Sequence, residues 1–108
     1  MSAMLFAFSV APTVSDSPDG SVSDAVAAAV RVVRESGLPH ETTAMFTTIE
    51  GEWDEVMPVI KAACDAVAAH SPRVSLVLKA DLRPGYEGQL SAKVERVEER
   101  LRGEGSPQ

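Results

Sequence analysis

Hydroxyls, carboxylates and a lone tryptophan are crowded into one short stretch of this chain. Residues 45–53 read Met-Phe-Thr-Thr-Ile-Glu-Gly-Glu-Trp. Side chains alternate along a strand, so Thr48, Glu50 and Glu52 share one face, while Ile49 points to the other face and to a core. Two carboxylates and a hydroxyl in a row suit a polar or cationic small ligand. A solvated strand face explains the same row, and spacing alone favours that simpler interpretation.

The remaining reactive side chains form no catalytic or metal-binding pattern. Cys64 is the single cysteine, so neither an internal disulfide nor a cysteine-based metal framework is available. Its place on the apolar stripe of a predicted helix is typical of a small buried hydrophobe. His40 and His70 fall at element ends and do not pair with Cys64. We therefore predict no catalytic residue, no metal and a reducing, cytoplasmic setting.

The composition indicates one globular domain. The 108 residues are 44% hydrophobic and 24% charged, with a net charge of −6. An acidic balance argues against a nucleic-acid partner, because binding its phosphates requires clustered Lys and Arg. The apolar run at 4–11 is too short to span a membrane and has no basic residue before it. We therefore predict no membrane segment and no signal peptide.

Apolar periodicity and turn residues predict four strands and three helices. Ser21 and Asp24 form a capping pair for the first helix, Gly37 ends it, and the second and third strands form a hairpin that turns near Met45. The polar segment 103–108 is predicted to be a disordered tail, so the single domain occupies residues 1–102. The predicted strands are 4–11, 40–44, 46–52 and 74–81, and the later helices are 53–70 and 90–101.

This order, β-α-β-β-α-β with a terminal helix, predicts an α+β fold of the ferredoxin-like sandwich type. We expect a four-stranded antiparallel sheet with two helices on one face plus a C-terminal helix, and with strands one and three at the centre. Both faces of strand one, 4–11, are largely apolar, and the two helices cover only one of them. We therefore predict a homo-oligomer, a dimer or a dimer of dimers, with the last helix as a second contact.

Several blocks of the sequence, in this order and spacing, carry a resemblance to a known family. They read Phe-Ser-Val-Ala-Pro at 8–12, Ser-Val-Ser at 21–23, Arg-Glu-Ser-Gly-Leu-Pro at 34–39, Thr-Thr-Ile-Glu-Gly-Glu-Trp-Asp-Glu-Val at 47–56, and Leu-Lys-Ala-Asp-Leu-Arg at 78–83. Together they resemble the thiamine-binding proteins of the UPF0045, or YkoF-like, group. The resemblance covers nearly the whole chain. It departs at Phe46, where a glycine is usual, and this ring is expected to narrow the site or to stack on a ligand.

The resemblance implies assembly into dimers and tetramers and binding of thiamine (vitamin B1) or its hydroxymethylpyrimidine moiety, with no cofactor. The Glu50 carboxylate is suited to accept a hydrogen bond from the exocyclic amine, and hydroxyls are suited to the ring nitrogens. Aromatic rings are suited to stack on the ligand or to face its cation. The candidate ligand-binding residues are Ser9, Phe46, Thr47, Thr48, Glu50 and Trp53.

We therefore predict a non-enzymatic, cytoplasmic binding protein for thiamine or its hydroxymethylpyrimidine moiety, acting as a carrier, buffer or sensor. On this hypothesis Glu50→Gln or Thr48→Val weakens binding. Two alternatives stay open. One is a regulatory or structural homo-oligomer with no small ligand. The other is a small ferredoxin-like enzyme that uses Glu50 as its acid or base.

Overall fold

The computed structural model describes residues 4–13, 23–83 and 89–105, and these form the predicted order of strands and helices. Within these ranges, no helix has the length and apolarity that crossing a bilayer requires. The predicted cap at Ser21 lies outside the described residues. The elements are β1 (Met4–Pro12), α1 (Ser23–Glu35), β2 (His40–Thr42), β3 (Thr47–Gly51), α2 (Trp53–Ala68), β4 (Val74–Asp81) and α3 (Gln89–Gly105).

The four strands form one antiparallel sheet in the order β2-β3-β1-β4. This order confirms the ferredoxin-like α+β prediction, with strands one and three central. Helices α1 and α2 pack on one side of the sheet, which we call the covered face. The opposite side, which we call the open face, meets the start of α3. The two faces of β1 and β3 therefore have different neighbours.

The core lies between the covered face and the two helices. Strand β1 alternates in burial, with Phe6, Phe8 and Val10 buried and the residues between them half-buried. Ile49 of β3 pairs with Phe6 and is fully buried, as its position in the strand predicted. Burying each such side chain contributes about 1.5–3 kcal/mol to folding. The helices supply Ala25, Ala29, Val33, Val56, Ile60, Ala63 and Val67 to the same cluster.

Two glycines permit the turns that join strands to helices. Gly37 has a φ of 76° just after α1 ends, a conformation that glycine adopts without steric cost. Gly51 ends β3 on the covered face, where a Cβ would lie only 2.9 Å from the Val56 Cγ2 atom. The absence of a side chain at Gly51 lets the first turn of α2 pack directly against the end of β3.

Most predicted boundaries hold to within two residues, and the differences that matter lie at the β2–β3 hairpin and at the end of α3. Strand β2 ends two residues earlier than predicted and β3 begins one residue later, because residues 43–46 form the hairpin turn. Strand β3 also ends one residue early, because Glu52 is the N-cap of α2. Helix α3 continues to Gly105, four residues beyond the predicted end of the last helix at residue 101. A Glu98–Arg102 ion pair of 3.9 Å, one turn apart, supports the last turns of this helix. Residues 106–108 lie outside the described residues.

Candidate ligand-binding site

A cavity of about 190 Å³ lies at one end of the covered face, between α1 and the β2–β3 hairpin. It forms because β1 is longer than its partner on that side. Residues Met4 to Phe8 of β1 pair with β3, whereas Ser9 to Pro12 pair only with β4. The hairpin turn and α1 border the space left beside this extension, which stays partly open to solvent. The lining residues are Phe8, Ser9, Val10, Ala11, Val26, Ala29, Val30, Thr42, Thr43, Ala44, Met45, Phe46 and Thr47.

The cavity wall is apolar with a few hydroxyl groups, and none of its lining residues carries a charge. Phe8, Val10 and Ala29 are buried, so they form its floor. Thr47 is 8% exposed, and its hydroxyl lies 3.5 Å from that of Thr42. Apolar walls with a small number of placed polar groups are typical of small-molecule sites.

The turn that closes the cavity is held by one side chain as well as by the backbone. The Thr43 N–H donates to the Phe46 carbonyl at 2.8 Å, and the Thr43 hydroxyl donates to the same oxygen at 3.0 Å. The Phe46 N–H donates back to that hydroxyl at 3.3 Å. Among the described residues only Gly37 has a positive φ, so the turn needs no glycine. These bonds fix the backbone of Phe46, whose half-buried ring lines the cavity.

Three of the predicted site residues lie at this cavity, and they contribute in different ways. Phe46 and Thr47 line it from the hairpin. Ser9 also lines it, but Phe8 and Val10 on either side are buried against the helices. Strand alternation therefore directs the Ser9 hydroxyl to the open face, and the residue contributes its backbone to the cavity.

Thr48 and Glu50 lie on the open face, away from the cavity. Thr48 pairs with Ala7, and Glu50 pairs with Leu5. Glu50 is only 6% exposed, although a polar strand row suggests a solvated carboxylate. Its Oε1 atom accepts a hydrogen bond of 3.2 Å from the Leu90 N–H, at the start of α3. The carboxylate therefore joins β3 to the first turn of the terminal helix, where a helix has unpaired N–H groups.

Trp53 lies at a third place, the first turn of α2. It is 47% exposed, and the centroid of its ring lies 5.7 Å from that of the buried Phe6 ring, with 64° between the two planes in an edge-to-face arrangement. That geometry is favourable for aromatic pairs. Just before it, the Glu52 N–H donates to Glu55 Oε1 at 3.2 Å, a capping contact for this helix. Trp53 is not among the residues that line the cavity.

The thiol of Cys64 and the possible metal ligands are the other groups that could carry chemistry. Cys64 packs against the core from α2, and burial, with the Asp65 carboxylate adding to it, raises the pKa of its thiol. Lys61 opposes this shift. Among the described residues, His, Cys, Asp and Glu form no group of three or more that could hold a metal ion.

Sequence reasoning did not name most of the cavity as candidate site residues. Val26, Ala29 and Val30 belong to the apolar stripe of α1, which indicates a core face and does not distinguish a filled core from a cavity wall. Thr42 and Thr43 lie in a segment predicted to be plain strand. The Thr-Thr pair at 42–43 could have identified the hairpin turn beside the cavity, since Thr side chains often form hydrogen bonds to a nearby backbone.

The chain belongs to the thiamine-binding protein family, whose pattern it matches over residues 6–98. It is 50% identical over 99 residues to the UPF0045 protein Mb1933 of Mycobacterium bovis, which covers 91% of this chain and 94% of that protein. It is 35% identical over 99 residues to the UPF0045 protein MJ1052 of Methanocaldococcus jannaschii, which covers 89% and 99%. These matches confirm the resemblance carried by the sequence blocks.

Solved structures share the whole fold. The hypothetical protein MJ1052 superposes with a TM-score of 0.80 at 31% identity, over 92% of this chain and 99% of that one. A domain of unknown function, DUF77, from Bacillus cereus gives 0.79 at 32% identity, over 88% and 89%. A Thermotoga maritima protein, for which a role in thiamine biosynthesis or salvage has been suggested, gives 0.70 at 22% identity, over 85% and 98%.

Proposed function

We propose that this chain binds thiamine through its hydroxymethylpyrimidine moiety and acts as a carrier, buffer or sensor, not as a catalyst. In this proposal the pyrimidine ring occupies the cavity between α1 and the β2–β3 hairpin. The observation that carries the proposal is the uncharged, apolar cavity with the Thr42 and Thr47 hydroxyls on its wall. The family description and the suggested role of the Thermotoga maritima protein support the choice of ligand.

The size of the cavity favours a single ring. An apolar cavity of about 150 Å³ holds benzene, whereas sites for larger ligands usually occupy about 300–1,000 Å³. The 190 Å³ found here suits one substituted pyrimidine and not the two rings of thiamine together. The cationic thiazolium ring would then remain outside the cavity, and the net charge of −6 favours its approach.

The wall offers the groups that such a ring needs. A hydroxyl both donates and accepts hydrogen bonds, so Thr42 and Thr47 suit the ring nitrogens and the exocyclic amine. The buried ring of Phe8 and the half-buried ring of Phe46 offer aromatic surface for stacking. The Thr43 hydroxyl is engaged with the turn backbone, so its part is to hold the wall in place.

In this proposal only some of the predicted site residues contact the ligand. One bound ring cannot touch the side chains of Thr47 and Glu50 together, because they project from opposite faces of the sheet. We assign Phe46, Thr47 and the Ser9 backbone to the ligand. A ligand role for Thr48, Glu50 or Trp53 remains a prediction, and it requires a second binding position on the open face or beside α2.

Neighbouring threonines provide a matched test. Isothermal titration with thiamine, and with hydroxymethylpyrimidine alone, is measured for Thr47→Val and Thr48→Val. A lost hydrogen bond costs about 1 kcal/mol or somewhat more, so Thr47→Val is expected to weaken binding by roughly tenfold, while Thr48→Val leaves it unchanged. Glu50→Gln serves as a second open-face control.

The reverse pattern would place the ligand on the open face, as the sequence row predicted, and would contradict the cavity assignment. Absence of heat with either ligand, from a protein shown to be folded, would favour the regulatory or structural oligomer. Turnover of either compound would favour the enzyme alternative.

We also propose that the chain works as a homo-oligomer in the cytoplasm. Leu5, Ala7 and Ser9 on the open face of β1 are half-buried within one subunit, and Val94, Val97 and Leu101 of α3 are each more than half exposed. Exposed apolar surface of this kind supports an interface. The single cysteine supports a reducing compartment.

A further inference from the structure

Met45 lies in the hairpin turn and is both exposed to solvent and part of the cavity wall. Its side chain is 75% exposed, the highest value among the large apolar side chains of the described residues. It also lines the cavity. Thr42, Thr43 and Ala44 beside it are exposed as well, so this part of the hairpin borders the opening of the cavity. Met45 therefore presents its thioether both to solvent and to a molecule in the cavity.

The other sulfur atoms of the described residues are shielded by the fold. Met4 and Met57 are half-buried and pack against the core. Cys64 packs there too, and burial raises the pKa of its thiol, which leaves less of the reactive thiolate at neutral pH. A thioether has no proton to lose, so its oxidation depends chiefly on whether an oxidant can reach the sulfur. Among these four residues, Met45 is the one that a dissolved oxidant reaches most easily.

Hydrogen peroxide is an oxidant small enough to reach this sulfur from solvent. The thioether takes one oxygen atom from the peroxide, the O–O bond breaks, and the other oxygen leaves as water. Sulfur loses two electrons in this step, and the peroxide gains them. Methionine sulfoxide reductases reverse the change, because two thiols are oxidised to a disulfide while the oxygen leaves the sulfur as water. Oxidation at Met45 can therefore be undone.

Oxidation of Met45 changes the cavity wall and not the turn that carries it. The turn is held by three hydrogen bonds between Thr43 and Phe46, and none of these bonds uses the Met45 side chain. A sulfoxide is polar, and its oxygen accepts hydrogen bonds from water. The modification therefore converts part of an apolar, uncharged wall into a hydrated one.

We propose that Met45 is a site of reversible oxidation by peroxide, and that its sulfoxide form binds the ligand of the cavity more weakly. The second half rests on the function proposed above, because it requires a ring in the cavity beside Met45. A ring that enters must remove water from the sulfoxide oxygen, and covering a polar group without a hydrogen-bond partner is costly. Since Met45 is only partly covered at the opening, we expect a loss of affinity of roughly fivefold to tenfold.

The first measurement tests whether peroxide selects Met45. The folded protein is treated with dilute hydrogen peroxide, and the oxidised fraction of each methionine is followed over time by peptide mass spectrometry. Cleavage after Glu41 and Glu50 isolates Met45 in peptide 42–50, so Met57 falls in a different peptide. We expect Met45 to oxidise roughly tenfold faster than Met57, or more. Equal rates would overturn the proposal.

The second measurement tests whether the sulfoxide changes the site. Isothermal titration with hydroxymethylpyrimidine compares the untreated protein, the peroxide-treated protein, and the treated protein after incubation with methionine sulfoxide reductases. Met45→Leu is the matched control, because leucine conserves the volume and apolarity and has no sulfur to oxidise. We expect peroxide to weaken binding by the parent chain and the reductases to restore it. The leucine variant should bind equally well before and after treatment.

The outcomes separate this inference from the proposed function. Unchanged affinity after complete oxidation of Met45 overturns the inference and leaves the proposed function standing. An equal loss of affinity in the treated Met45→Leu variant overturns the inference too, because the damage then lies at another residue, such as Trp53 or Cys64. Absence of binding by the untreated parent chain, shown to be folded, overturns the proposed function and with it the effect assigned to the sulfoxide.

Discussion

The two faces of the sheet use the same two central strands for different purposes. On the covered face, Phe6 and Ile49 pack beneath the helices, and Thr47 faces a cavity. On the open face, Thr48 is half-buried beside Ala7, and Glu50 holds the start of α3. The polar residues Thr47, Thr48 and Glu50 therefore belong to two separate regions and do not form one site. Because β structure alternates, adjacent residues with similar chemistry become unrelated in space.

The difference also shows how each face tolerates polar groups. A buried carboxylate without a partner is costly, and Glu50 meets this requirement through the N–H of Leu90. An uncharged threonine hydroxyl at a cavity wall costs less to bury, because one other hydroxyl can serve as its hydrogen-bond partner. The Thr47 hydroxyl contacts that of Thr42 in this way. The open face therefore uses its carboxylate for architecture, whereas the covered face leaves its hydroxyls suited to a ligand.

The largest expected effect contrasts neighbours on β1. Phe6→Ala removes a fully buried ring and is expected to lower the free energy of unfolding by about 3–5 kcal/mol. Leu5→Ala, on the half-buried open face, is expected to cost clearly less. Urea titration of both variants, at a protein concentration low enough for sedimentation to show a monomer, measures the two losses within one subunit. Equal losses would contradict the difference in burial between the two faces.

The next effect concerns the link between β3 and α3. Glu50→Ala leaves the Leu90 N–H without its acceptor and is expected to cost about 1–3 kcal/mol in the docking of α3. Glu50→Gln keeps a side-chain carbonyl and is the matched control. Amide hydrogen exchange at Leu90 should rise in the alanine variant only. Unchanged exchange there would show that the carboxylate does not anchor the helix.

A smaller effect tests the cavity by filling it. Val26 lines the cavity and is 38% exposed, so Val26→Phe can place its ring inside without disturbing the core. We expect thiamine affinity to fall by about tenfold, with stability changed by no more than about 0.5 kcal/mol. Ala27→Phe adds the same ring to an exposed position of α1 outside the cavity. Equal affinity in both variants would contradict the cavity assignment.

The smallest effect concerns pH. The pKa of the Cys64 thiol is raised in the folded chain, mainly by burial. Above the pKa of an exposed thiol, about 8.5, the unfolded chain loses this proton first, so stability falls as the pH rises from there through the folded pKa. Urea titrations across this range should show that slope, and Cys64→Ala should lack it. An identical pH dependence in the two proteins would contradict the buried-thiol interpretation.

Much of the fold was predictable because strands and helices follow from patterns of apolar residues that repeat over a few positions. The alternation of Phe6, Phe8 and Val10 identified β1 and its buried side, and the Gly37-Leu38-Pro39 break identified the end of α1. The candidate site was only partly predictable. Phe46 and Thr47 were named, but Val26 and Val30 were not, since a cavity wall has the same apolar pattern as a filled core.

By itself, the sequence determined the order of elements, the buried side of each central strand and the membership of the family, since all three depend on local periods and on ordered blocks of residues. Only the tertiary structure decided where the polar residues act. The cavity exists because β1 extends past β3 and α1 lies across the gap, and Glu50 is buried because α3 returns to the open face forty residues later. Both results depend on contacts between distant segments, which no local pattern specifies.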